Sequence, residues 1–140
     1  TTLFRSHKLE VSPEKDLKRI TVKEKELTVS CAELAAYEVV DAIGKLISFE
    51  HVAELFQGLV NLSPRKVQDI LERSSSVQAN RIFLFLGRYY DHQWINRIDE
   101  TRIKLGAGKR QVVEKGRFDE RYQITVPEIL SVKKGEKNNG

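Results

Sequence analysis

Phe49-Glu50-His51-Val52-Ala53-Glu54-Leu55-Phe56-Gln57-Gly58-Leu59-Val60 is the stretch whose reading decides the fold class. Phe49, Val52, Ala53, Phe56, Leu59 and Val60 fall at i, i+3, i+4, i+7, i+10 and i+11, the period of one helix face, so the spacing predicts an amphipathic helix with that face buried. Downstream, Ser63-Pro64 pairs an N-cap residue with a proline at the first helical position, where the missing N–H costs nothing. The helix that follows turns Val67, Ile70 and Leu71 inward and Arg65, Lys66, Gln68, Asp69 and Glu72 outward, and Ser74-Ser75-Ser76 closes it as a short connector. Asn80 to Tyr90 contains Ile82-Phe83-Leu84-Phe85-Leu86, which has the composition of a buried strand. Its length favours a helix, with Arg81 and Arg88 on one side and apolar residues over most of the rest. Upstream, Ser30 and Glu33 have the S-x-x-E spacing of a capping box. They precede a face of Leu34, Ala35, Val39, Ala42, Ile43 and Leu46, with Gly44 placed to end or bend the helix. Trp94, Ile95 and Ile98 read as a short capping turn.

Both ends of the chain change to β patterning. Short β-rich runs at Leu3-Phe4 and Leu9-Val11 precede Ile20-Thr21-Val22 and Leu27-Thr28-Val29, which predict a hairpin around Lys23-Glu24-Lys25-Glu26. After Arg102, Gln111-Val112-Val113 and Tyr122-Gln123-Ile124-Thr125-Val126 predict a second hairpin across Gly116, with Pro127 ending regular pairing. The expected architecture is α+β: a central helical core of about four helices flanked by N-terminal and C-terminal β hairpins. It divides into a β region over 1–29, a helical region over 30–98 and a β hairpin region over 102–127, all in one domain spanning 1–130. Residues 131–140 hold Lys133, Lys134 and Lys137 and read as a disordered basic tail.

The bulk numbers are consistent with this and remove several function classes. A chain of 140 residues, 40% hydrophobic and 31% charged, has one domain's worth of core. Its longest strongly apolar run, Ile82 to Leu86, is far short of the roughly 20 residues that span a bilayer, and no signal peptide opens the chain. The single cysteine, Cys31, rules out an internal disulfide and fits a cytoplasmic setting. The methionine count is zero, so a chain starting at Thr1 reads as a fragment. Charge is uneven beneath the net +4: residues 31–60 carry one basic and five acidic side chains, whereas 102–121 carry seven and three. That positive segment could draw phosphates or an acidic partner, or serve only as a solvated, solubilising hairpin. Its candidate binding residues are Lys104, Lys109, Arg110, Lys115, Arg117 and Arg121.

Familiar catalytic constellations are not matched. Gly106-Ala107-Gly108-Lys109-Arg110 resembles a nucleotide loop, but a P-loop needs glycine at position 103 and Ser or Thr at 110; this chain has Ile103 and Arg110. His7, His51 and His92 lie on three separate elements. His51-x-x-Glu54 lacks the HExxH spacing and a third ligand, so no metal site is expected. Cys31, in the first turn of its helix, reads as small core filler in preference to a nucleophile. Glu33, Glu38 and Asp41 read as a cap and solvated charges. No catalytic residue and no cofactor is assigned. Nucleic-acid binding has partial support from the basic segment, from Tyr122 as a stacking surface, and from Arg65 and Lys66 at a helix start.

Phe49 to Leu59, Asn61-Leu62-Ser63-Pro64, Leu105 to Arg110 and the closing Tyr122-Gln123-Ile124-Thr125-Val126-Pro127 together resemble, over about residues 28 to 130, the C-terminal domain of AbiEi-type antitoxins of type IV toxin–antitoxin systems. One departure is Ala32-Glu33-Leu34-Ala35, where the family pattern is Pro-Glu-Arg-Ala. The resemblance implies a non-enzymatic domain of an autorepressing bacterial regulator that functions in abortive infection. Its family places a winged helix-turn-helix for operator DNA in an N-terminal domain that this chain does not visibly carry. The implied counterpart is a nucleotidyltransferase-like toxin, neutralised without a stable complex. The competing reading is a stand-alone nucleic-acid-binding or protein-interaction module with no antitoxin role.

Overall fold

The computed structural model describes residues 17–22 and 25–130. The readings at Leu3-Phe4, Leu9-Val11, His7 and the tail 131–140 lie outside those residues. The fold is α+β. Strands β1 (Leu17–Val22) and β2 (Lys25–Ser30) pair antiparallel with Leu17 opposite Ser30. Four helices follow: α1 (Ala32–Asp41), α2 (Phe49–Gln57), α3 (Pro64–Arg73) and α4 (Val77–Tyr89). Two 3-10 turns, Gln93–Arg97 and Glu100–Arg102, lead to an antiparallel hairpin of β3 (Gly116–Asp119) and β4 (Ile124–Pro127).

Helix α4 is the axis of the core. Every residue from Ala79 to Gly87 is buried, because α1, α2 and the Gln93–Arg97 turn all pack on it. The face read from Phe49 onward supplies Phe49, Val52, Ala53 and Phe56, each at most 2% exposed. Burying a side chain as large as Phe or Val contributes roughly 1.5–3 kcal/mol. Phe56 meets Phe83 edge-on at 5.0 Å, and Phe83 meets Trp94 at 5.6 Å. Trp94 lies so close to α4 that a Cβ on Gly87 would overlap its ring, and its indole N–H donates to the Leu59 carbonyl at 2.8 Å. Serine caps begin three of the helices: Ser48, Ser63 and Ser76 accept from the N–H of His51, Lys66 and Ala79.

The structure corrects the sequence reading in four places. Ser30 stays extended in β2, so α1 begins two residues later behind Cys31, which makes no side-chain cap. Glu33 therefore closes no capping box; its carboxylate accepts the Ser63 N–H at 2.6 Å and ties α1 to the start of α3. Leu46 is 69% exposed, because α1 ends at Asp41 and Gly44 turns the chain with φ +85°. Val60 is 53% exposed, since α2 stops at Gln57 and its face does not continue. Gln111-Val112-Val113 is not a strand. Thr125 Oγ1 accepts the N–H groups of both Val112 (2.7 Å) and Val113 (3.2 Å), so these donors go to a side chain, and the ladder with β4 is made by 116–119 instead.

Candidate functional site

The basic segment leaves α4 through the Glu100–Arg102 turn, crosses the glycine loop and returns as the β3–β4 hairpin. Asn80 and Arg81, adjacent on α4, hold the loop down: Asn80 Nδ2 donates to the Lys104 carbonyl at 2.9 Å, and Arg81 Nε to that of Leu105 at 2.7 Å. Arg81 Nη1 donates to the carbonyls of Gly108 (2.8 Å) and Gln123 (3.4 Å), so one side chain spans loop and hairpin. Gly106 and Gly108 adopt φ of +64° and +86°, the left-handed conformation glycine takes without strain. Arg110 then makes a backbone bridge to Ile124, with its N–H on the Gln123 carbonyl and its own carbonyl accepting from Thr125.

The six candidates divide by what they touch. Lys104, Lys109, Arg110 and Lys115 are exposed, and among the described residues none is in an ion pair. Lys109 lies over the Phe118 ring at 5.3 Å. Arg117 is half-buried: its Nε donates to the Leu130 carbonyl and its guanidinium covers Phe85 at 5.9 Å. Arg121 stacks on Tyr122 at 5.6 Å and reaches Glu100 at 3.9 Å. Arg102, in the same segment, pairs with Glu72 at 3.3 Å. The structure brings Arg121 beside Arg81 at one cleft of about 300 Å3; Lys104 and Lys115 do not line it.

Tyr122 is not a stacking surface for a base. It is buried, and its hydroxyl donates to Glu100 Oε2 at 2.7 Å while accepting from Arg88 Nε at 3.0 Å. Burial raises its pKa, which keeps the hydroxyl protonated. Burial alone lowers the Arg88 pKa, yet the bonds to Tyr122 and Glu100 outweigh it and raise it. Arg65 lines a separate cleft of about 560 Å3 along α3 with Asp69, Glu72 and Arg97, where both signs of charge mix. His92 bonds the Phe56 carbonyl through Nε2, and His51 is exposed on α2. No group of three His, Cys, Asp or Glu placed to hold a metal occurs among the described residues. None of their helices is long and apolar enough to cross a membrane.

Against these features, a family model described as "Transcriptional regulator, AbiEi antitoxin, Type IV TA system" matches residues 1–127. The chain belongs to the AbiEi antitoxin family. The match to this AbiEi antitoxin takes in the helical core and the C-terminal hairpin, and it also covers the N-terminal residues that the motif resemblance left out. No curated protein and no solved structure matches the chain.

The residue that sequence reasoning missed is Arg81. It entered only as a marker of helix phase, yet it is 3% exposed and organises the whole basic loop. The available signal was an arginine beside Asn80 directly before the apolar run Ile82 to Leu86, since a charge carried into such an element needs polar partners.

Proposed function

We propose that this AbiEi antitoxin chain works without catalysing a reaction, in the cytoplasm, as part of an autorepressing regulator that offsets a nucleotidyltransferase-like toxin without a stable complex. Its basic segment contributes contacts to the phosphates of operator DNA. The observation that carries the surface assignment is the exposure of Lys104, Lys109, Arg110 and Lys115 on one segment with no acidic partner among the described residues. Cations left free in this way can release counterions from a nucleic-acid backbone. Supporting the non-catalytic reading, the His92 ring is committed to a main-chain carbonyl, and Cys31 is buried with a raised pKa.

Arg117 and Arg121, also named from the sequence, support the fold around this surface through Phe85, Leu130 and Tyr122. The test therefore reverses only the four exposed cations to Glu in the full-length regulator, co-expressed with the neighbouring toxin. The expected result is loss of growth rescue and a flatter salt dependence of DNA binding, by about one unit of slope for each phosphate the variant no longer neutralises. Rescue and salt slope both unchanged in a folded variant would overturn the assignment. DNA binding lost with rescue intact would show a nucleic-acid surface that antitoxicity does not use.

A further inference from the structure

The cleft of about 300 Å3 between the loop Leu105–Gly108 and the turn Arg121–Gln123 has an unusual charge balance. Two guanidiniums, Arg81 and Arg121, line it and no carboxylate does. Arg81 is 97% buried, and three of its five N–H donors are used by the carbonyls of Leu105, Gly108 and Gln123. Its Nη2 has no partner among the described residues. It lies 3.6 Å from the position a Cβ on Gly106 would take, a position that Val77 also crowds at 3.0 Å, so only glycine lets the loop pack this closely over Arg81. Glu100, the acid that reaches Arg121, does so at only 3.9 Å and is bonded instead to Arg88 at 2.9 Å and Tyr122 at 2.7 Å.

Pinning the loop explains the three carbonyl bonds of Nε and Nη1 but not the third nitrogen, Nη2. A largely buried guanidinium with no carboxylate partner carries an uncompensated charge, and its free Nη2, which opens on the cleft, favours an anionic acceptor. Arg110 adds to the positive potential, because together with burial it lowers the Arg81 pKa. We propose that this cleft is a phosphate-binding site in which Arg81 Nη2 and the Arg121 guanidinium hold the anion. Its volume accepts a phosphate group together with part of the molecule bearing it. This deepens the reading of the basic segment by naming one place on it where a phosphate is seated.

The test is a titration of the 15N-labelled full chain with sodium phosphate, compared with sodium chloride at matched ionic strength, following the amides of Gly106, Ala107, Gly108 and Gln123. Shifts specific to phosphate should saturate with a Kd of about 1 mM or tighter. Arg121→Gln should weaken binding by about fivefold or more in a chain whose amide spectrum remains that of the folded protein, and Arg81→Lys, which keeps the charge but loses the planar guanidinium, should weaken it as well. Equal responses to phosphate and chloride in the absence of any DNA response at these amides, or phosphate binding unchanged in both variants, would overturn the site. A duplex DNA titration identifies the source: saturation of the same amides by DNA alone points to backbone phosphates, and saturation by inorganic phosphate alone to a free or small-molecule phosphate. Lys104→Glu with Lys115→Glu separates this site from the wider surface, since neither residue lines the cleft. If that pair loses DNA binding while phosphate still saturates, the cleft stands; if neither phosphate nor DNA moves the cleft amides while the pair still controls DNA binding, the cleft alone falls.

Discussion

Cys31 stands at the head of α1, where helix geometry by itself favours a thiolate. The side chain is 1% exposed, however, and burial is the larger effect, so its pKa is raised. The Tyr122 hydroxyl is raised for the same reason. In both cases the folded chain holds the proton more tightly than the unfolded chain, so the unfolded state binds fewer protons at alkaline pH and stability falls as pH rises. The contribution is complete below the unfolded thiol value of about 8.5 and is lost as pH climbs through the folded one; Tyr122 adds its own loss above about 10. Urea midpoints should therefore fall between pH 8 and 10, and Cys31→Ala should flatten the first part of that fall. A midpoint that stays level in the parent chain would contradict the burial account. Cys31 as core filler was legible in the sequence from its apolar neighbours. The role of Glu33 was not, because its partner Ser63 is 30 positions away.

Among the elements, the C-terminal hairpin shows how a side chain can decide which residues become a strand. Val112 and Val113 are good strand formers, and β propensity alone places a strand on them. Thr125 takes their N–H groups and donates to the Val113 carbonyl at 3.1 Å, so that stretch bends away and Gly116–Asp119 pairs with β4. Gly116 fits there because a Cβ would collide with the Val126 carbonyl. Thr125→Val keeps the shape and removes the hydroxyl, leaving two half-buried donors unmet. It should destabilise the chain by about 1–3 kcal/mol, measured by urea unfolding, and should speed hydrogen exchange at Val112 and Val113 more than in β4. The helices were far more legible, since their signal is a local period; what failed was their ends, at Leu46 and Val60, where a turn stopped the face.

For the whole molecule, the hydroxyl of Tyr122 joins three parts: Arg88 of α4, Glu100 of the 3-10 turn and Arg121 of the hairpin. Tyr122→Phe keeps the buried ring and removes the shared bond, leaving Arg88 Nε and Glu100 short of a partner. The expected cost is about 1–3 kcal/mol, read by urea unfolding with the fluorescence of Trp94, the only tryptophan. An unchanged midpoint would mean that these parts dock through apolar contacts alone.

Composition, helical period and cap residues by themselves determined an α+β chain with four helices and a basic C-terminal segment, because each of those signals is carried by residues within about a dozen positions of one another. The tertiary structure decided which of the cations remain free. Arg117 and Arg121 became supports through Phe85, Leu130 and Tyr122, while Arg81, read from the sequence only as sharing one side of its helix with Arg88, was buried beneath the glycine loop. Pairing and burial of a charge depend on what the fold carries to it across 24 to 42 positions of chain, as the reach of Arg81 to Leu105 and Gln123 shows. No local pattern encodes that distance.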